Sequence, residues 1–159
     1  MTQRLNYFQA SIEAMNTLVN TEKYIARCHK NKKTLNKPLI ELVKIRVSQI
    51  NGCAYCIDMH SKDARSEQET EQRIYGLSAW RETNFYSDQE RAALAWAEAN
   101  TRIHSEGISD DAYDAVSAYF NPEQLVDLTL VITTINSWNR IALSFKPEPG
   151  SYNVGDFDF

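Results

Sequence analysis

Two cysteines and a histidine fall within eight positions of one another in the stretch SQINGCAYCIDMHSKDA, residues 48–64. The spacing Cys53-x-x-Cys56-x-x-x-His60 permits metal binding, a disulfide cycle or plain packing. In a cytosolic chain a C-x-x-C pair is more often catalytic or metal-binding than structural, and its two sulfurs can close a small reversible disulfide. On a helix, steps of three and four residues advance by about 300° and 400°, so all three side chains would share one face. Cys53 would then stand in the first turn, where the positive end of the helix dipole favours thiolate. Cys56 would lie four residues before His60, close enough for the imidazole to take its proton or pair with its thiolate. A structural zinc site needs a fourth ligand, and no second C-x-x-C or H-x-x-x-H pair exists; only Cys28-His29, folded back, could complete it.

Bulk properties narrow the function classes. A chain of 159 residues is one domain by length, able to bury roughly 70% of its unfolded surface. A net charge of −4 argues against nucleic acid or an anionic membrane as the main partner. No apolar run approaches the roughly 18 residues of a spanning helix, and MTQRLNYF is too polar for a signal peptide. Three cysteines, two of them adjacent in a motif, do not make an extracellular disulfide framework. The expectation is a cytoplasmic protein with no nucleic-acid and no membrane partner.

The thiols must be positioned by helices. Leu5, Phe8, Ile12, Met15 and Val19 recur at helical spacing, and the helix continues through Tyr24 and Ile25 toward Cys28 before a lysine-rich break at 30–33. Residues 39–50 are ambiguous: Val43, Ile45 and Val47 alternate like a strand, while Leu39, Leu42, Val43, Val47 and Ile50 fit a helix. The twelve residues 39–50, after a Pro38 start and before a Gly52 stop, are of helical length, so Gly52 is read as the left-handed stop and the Asn51-Gly52 hairpin signal is set aside. Ser66-x-x-Glu69 and Ser87-x-x-Glu90 read as capping boxes, Ser109 as a cap, and Asn121-Pro122 as the start of a long apolar helix through Leu125, Leu128, Ile132, Ile135 and Trp138. Nothing reads as a set of paired strands. The predicted fold is all-α, a single-domain helical bundle over 1–159, with its core at about 38–145 and an extended C-terminal arm at 146–159.

On that scaffold the run Glu41-Leu42-Val43-Lys44-x-Arg46-x-Ser48-Gln49-x-Asn51-Gly52-Cys53-x-x-Cys56-x-x-x-His60 resembles the core of the alkylhydroperoxidase D (AhpD-like) branch of the carboxymuconolactone decarboxylase-like superfamily. The likeness continues at Asp63-Ala64-Arg65, Asn136-Ser137-Trp138-Asn139-Arg140 and Pro149-Gly150-Ser151-Tyr152. It implies an all-helical fold, trimers or hexamers, and thiol-dependent reduction of organic hydroperoxides. By motif position it assigns Cys56 as the peroxide-reacting thiol, Cys53 as its disulfide partner, and His60 with Glu41 as the proton relay. The best-studied branch carries a histidine where this chain has Tyr55.

The helix dipole favours Cys53 by about 0.3–1 kcal/mol. A paired imidazole typically supplies 10²–10⁴-fold, which makes Cys56 the expected nucleophile. Glu41 stands twelve positions before Cys53 and reads equally well as a first-turn carboxylate complementing the dipole after Pro38. Cys28 reads as a small buried apolar residue, and His104 as a surface residue near a helix end. Trp138, Asn139 and Arg140 read as packing and inter-helix or intersubunit contacts, and Tyr55 as either pocket or packing. No flavin, haem or nicotinamide motif is present, so no cofactor and no metal is expected. Electrons would come from a dithiol reductant, either a thioredoxin-like protein or a lipoyl group. A non-enzymatic redox switch or binding protein, using the same disulfide, is the alternative from another class. A lactone decarboxylase does not need the C-x-x-C pair. The aromatic tail, with Tyr152 and Phe157-Asp158-Phe159, is expected to lie on a neighbouring subunit of a homo-oligomer, trimeric or hexameric.

Overall fold

Side-chain caps decide where the helices begin. A computed structural model describes residues 3–32 and 34–157. Among these residues there is no strand, and the α-helices are α1 (Tyr7–Ala10), α2 (Ile12–Arg27), α3 (Lys37–Asn51), α4 (Ala54–Ser66), α5 (Glu71–Gly76), α6 (Asp88–Thr101), α7 (Ile103–Glu106), α8 (Asp110–Ser117) and α9 (Pro122–Phe145). A π-helical turn at Cys28–Lys32 prolongs α2, and a 3-10 turn at Leu77–Glu82 follows α5. Asn6, Asn36, Thr70, Ser87, Ser109 and Asn121 each accept a backbone N–H of the first turn they precede. Such caps are worth about 1 kcal/mol each.

The fold is all-α, and α3 is its centre. Leu42, Val43, Ile45 and Val47 have no exposure, and each buried aliphatic side chain contributes about 1.5–3 kcal/mol. Val43 and Val47 join a core with α9, while Leu42 and Ile45 join a second core with Leu77, Trp80, Tyr86 and Leu94. A helix buried on both sides carries no clean apolar stripe, which is why its sequence also alternated like a strand. Gly52 ends it at φ 70°, the left-handed conformation expected of it. No described helix is long and apolar enough to cross a membrane.

Three expectations need correction. The stripe from Leu5 to Val19 is not one core-facing helix: the chain breaks at Ser11, and Leu5 and Ile12 are exposed. Asn6 caps a four-residue helix instead, and the buried face of α2 comes later, at Glu22 and Ile25. Ser66 starts no helix. It is the last residue of α4, its hydroxyl donates to the Asp63 carbonyl, and Thr70 caps α5 in its place. The tail, finally, lies on its own chain. Lys62 Nζ donates to the Tyr152 carbonyl at 2.8 Å, and the Gly150 N–H donates to Asp58 at 3.1 Å. Tyr152 is buried through these contacts with α4. Lys33, Asp158 and Phe159, which figured in the break and the aromatic tail, lie outside the described residues.

Candidate active site

The polar residues of α3 supply the site. Glu41, Lys44 and Ser48 follow one another at spacings of three and four, a single stripe on a helix. All three are buried, and each meets a partner on a different helix. Glu41 Oε2 stands 2.9 Å from Nδ1 of His60 on α4. Lys44 Nζ donates to Glu22 of α2 at 2.8 Å. Asn139 Nδ2 of α9 donates to the Ser48 hydroxyl at 3.0 Å.

Gly52 lets the chain turn from α3 directly into α4. Cys53 is the cap of α4 rather than part of its first turn: its sulfur accepts the Cys56 N–H at 3.4 Å. The first turn carries Cys56 instead. The two cysteines are joined by a disulfide, with Cα atoms 5.4 Å apart. The turn is held from behind by amides, since Asn51 Nδ2 donates to Asn136 at 2.9 Å and to Asn139 at 2.8 Å. The Asn136–Arg140 stretch is thus largely an inter-helix clamp, with Asn139 fully buried.

Glu41 and His60 have about 5% of their surface exposed. Burial pushes the Glu41 carboxyl up, but His60, Lys44 and Lys37 together outweigh it and hold it below the ordinary carboxylate range. An ionised Glu41 accepts the Nδ1 proton, which leaves Nε2 as the ring nitrogen turned to other partners. Asp63 Oδ2 lies 4.0 Å from the same Nδ1, and its other oxygen accepts the Tyr152 hydroxyl at 2.7 Å. Burial raises the Asp63 carboxyl, with the Tyr152 bond pulling the other way. Among the described residues, Glu41, His60 and Asp63 are the group whose ligand atoms, within 4.8 Å of one another, could hold a metal ion. Neither Cys28 nor His29 belongs to this group, and Cys28 is buried, its sulfur 3.5 Å from the Tyr24 carbonyl.

These groups border a cavity of about 540 Å³. Cys56 and His60 line it, as do Glu41, Lys44 and Tyr55. Cys53, 1% exposed, does not border it. Sequence reasoning gave no site role to Glu22, Lys44 or Asp63, and read Trp138 as packing and an inter-helix or intersubunit contact. Trp138 packs on the core and makes that inter-helix contact, its Nε1 donating to Glu22 of α2 at 3.1 Å, and it also faces the cavity. The polar stripe at 41, 44 and 48, inside an otherwise apolar helix, is the signal that marks Lys44.

The carboxymuconolactone decarboxylase family model matches residues 13–99, more than half of the chain. The chain belongs to this family. Within it, the structural neighbours support the AhpD-like branch. The chain is 48% identical over 144 residues to the uncharacterized protein YdfG of Bacillus subtilis, an overlap of 91% of this chain and 95% of that one. A protein of unknown function from Agrobacterium tumefaciens, whose name points to the antioxidant defence protein AhpD, superposes with a TM-score of 0.85 at 41% identity. That match covers 92% of this chain and 97% of the other. A peroxidase-related protein from Ralstonia eutropha, described as an AhpD core, shares the fold at TM-score 0.78 and 16% identity, over 91% and 75% of the two chains.

Proposed function

We propose that the chain is a cytoplasmic thiol-dependent peroxidase that reduces organic hydroperoxides. One observation carries the reading: Cys56 borders the cavity beside an imidazole already oriented by a buried carboxylate, while its disulfide partner does not border it. Nε2 of His60 takes the Cys56 proton, and the thiolate attacks the terminal oxygen of the peroxide. The O–O bond breaks, the proton returns to the leaving alkoxide as alcohol, and Cys56 becomes a sulfenic acid. The Cys53 thiol displaces water from it and forms the 53–56 disulfide. An external dithiol, on a thioredoxin-like protein or a lipoyl group, restores both thiols and leaves as its own disulfide. The sum is one hydroperoxide and one dithiol giving alcohol, water and one disulfide. Glu41 holds His60 in the required tautomer. A homo-oligomer, trimeric or hexameric, is part of the same proposal.

Turnover of tert-butyl hydroperoxide with dihydrolipoamide or reduced thioredoxin tests this. Wild type should turn over continuously, Cys56→Ser not at all, and Cys53→Ser should consume one equivalent and stop as a trappable sulfenic acid. A wild-type protein that cycles its disulfide without consuming peroxide would instead be the redox switch.

A further inference from the structure

The cavity has one wall made of stacked rings. Tyr152 and Phe157 lie with centroids 6.0 Å apart and planes 6° off parallel. Phe157 stacks on Phe8 at 6.2 Å and 19°, and Phe8 on Trp138 at 6.2 Å and 25°. The ladder draws one ring from α1, one from α9 and two from the C-terminal arm. Both ends are anchored on carboxylates at the cavity, Tyr152 on Asp63 and Trp138 on Glu22. These bonds fix the orientation of the outer rings, so the wall is a preformed aromatic surface. The exposed residue of the four is Phe157, with 40% of its surface accessible.

Two of the lysines on the cavity are held in ion pairs. Lys44 is held by Glu22 at 2.8 Å and Lys37 by Glu67 at 2.7 Å. Glu41 and Asp63 add two further carboxylates near the reacting thiol. An anionic substrate that sought Lys44 or Lys37 would have to displace an existing ion pair, and it would meet these carboxylates. An uncharged ring would have no charge to desolvate and would gain contact with an aromatic wall, edge-on or offset.

We propose that this cavity selects an uncharged substrate bearing an aromatic ring, seated against the Tyr152–Phe157–Phe8–Trp138 ladder, with Phe157 a specificity-determining residue. The orientation of the hydroperoxide toward Cys56 rests on the peroxidase reading; the ring selectivity does not. About 540 Å³ is ample for an aryl-alkyl hydroperoxide.

The test is equilibrium binding, by calorimetry, of three peroxide-free probes to the full-length oxidised protein. The probes are 2-phenylpropan-2-ol, tert-butanol, and 4-isopropylbenzoate. Since no probe is turned over, a failed peroxidase assay leaves the result readable. The phenyl alcohol should bind at least about ten-fold more tightly than tert-butanol, from the buried area of its ring. It should also bind at least about ten-fold more tightly than the benzoate, whose charge must be desolvated. Phe157→Ala should weaken the phenyl alcohol about 3- to 10-fold, the range of one aromatic pair. Phe157→Leu, which keeps apolar bulk without the ring, should weaken it as well, with circular dichroism unchanged in both variants. Equal affinity for the three probes, no binding of the phenyl alcohol, or affinity untouched by both substitutions overturns the proposal.

Discussion

Two buried glutamates in this molecule do opposite things. Glu98 on α6 and Glu41 on α3 are each about 95% buried, and both carboxyls are held below the ordinary range against the pull of burial. Glu98 accepts from Arg46 Nε at 2.8 Å, Trp80 Nε1 at 2.9 Å and Arg81 Nη1 at 2.6 Å. None of these donors releases a proton near neutral pH, so the cluster is a fixed tie between α3, α6 and the turn after α5. Glu41 meets an imidazole instead, at the edge of a cavity. The same acid, equally buried, is a lock where its partners are permanent cations and an indole, and in the proposed mechanism half of a relay where its partner can trade a proton. The partner's chemistry decides, not the burial.

The contrast is broken most sharply at His60. His60→Ala removes the group proposed to take the Cys56 proton, and the peroxide-dependent rate should fall about 10²–10⁴-fold in a protein that still folds. Steady-state assays at saturating dithiol measure it, and an unchanged rate would leave Cys56 activated by the helix terminus alone. Glu98→Ala should do the reverse. It leaves Arg46 and the Trp80 N–H without their acceptor and should cost about 3 kcal/mol of stability by denaturant unfolding. The rate per folded molecule should not change.

Glu41→Gln sharpens the comparison, because it keeps the shape of the side chain and removes its charge. The rate should fall about 10²-fold as the imidazole loses its anionic partner. A pH signature separates this from damage to the fold. The folded-state value of Glu41 lies below its ordinary 4.5, so the carboxylate stabilises the native state above that pH, and the contribution is lost as pH falls through the lower folded value. Unfolding curves for wild type and Glu41→Gln should therefore converge as pH drops below about 4.5. Parallel curves down to acid would place the stabilisation elsewhere.

How far this contrast could be read from sequence depends on which atoms meet. The helix ends at Gly52, Ser87, Ser109 and Asn121 were legible because capping chemistry is local. Cys53, Cys56 and His60 were legible because their spacing is set by one helix. Glu41 was legible as a candidate through resemblance only, since its meeting with His60 joins two helices across 19 residues of chain. Glu22 and Lys44 pair across 22 residues, and nothing near Glu22 marks it as buried. Ser66 misled because Ser-x-x-Glu is as available where a helix ends as where one starts. The arm misled for a different reason: rings with no helix of their own need a face to cover, and the sequence does not say that the face is the chain's own cavity.

The smallest effect concerns the third carboxylate. Asp63 lies between the two extremes: it is half-buried, 4.0 Å from the His60 Nδ1, and held by a hydroxyl donor from the arm. Tyr152→Phe keeps the ring on Phe157 and removes only the donor. The lost hydrogen bond should cost about 1 kcal/mol. The electrostatic consequence is more specific. That bond lowers the Asp63 carboxyl, which burial otherwise raises, so without it Asp63 takes up a proton at higher pH than in wild type. If Asp63 supports the imidazole alongside Glu41, the acid limb of the kcat/KM profile should move to higher pH while the plateau stays put. Carbon-13 titration of the Asp63 carboxyl reads the same shift directly. A raised Asp63 titration beside an unmoved activity profile would detach Asp63 from the relay and leave Glu41 as the sole carboxylate that His60 answers to.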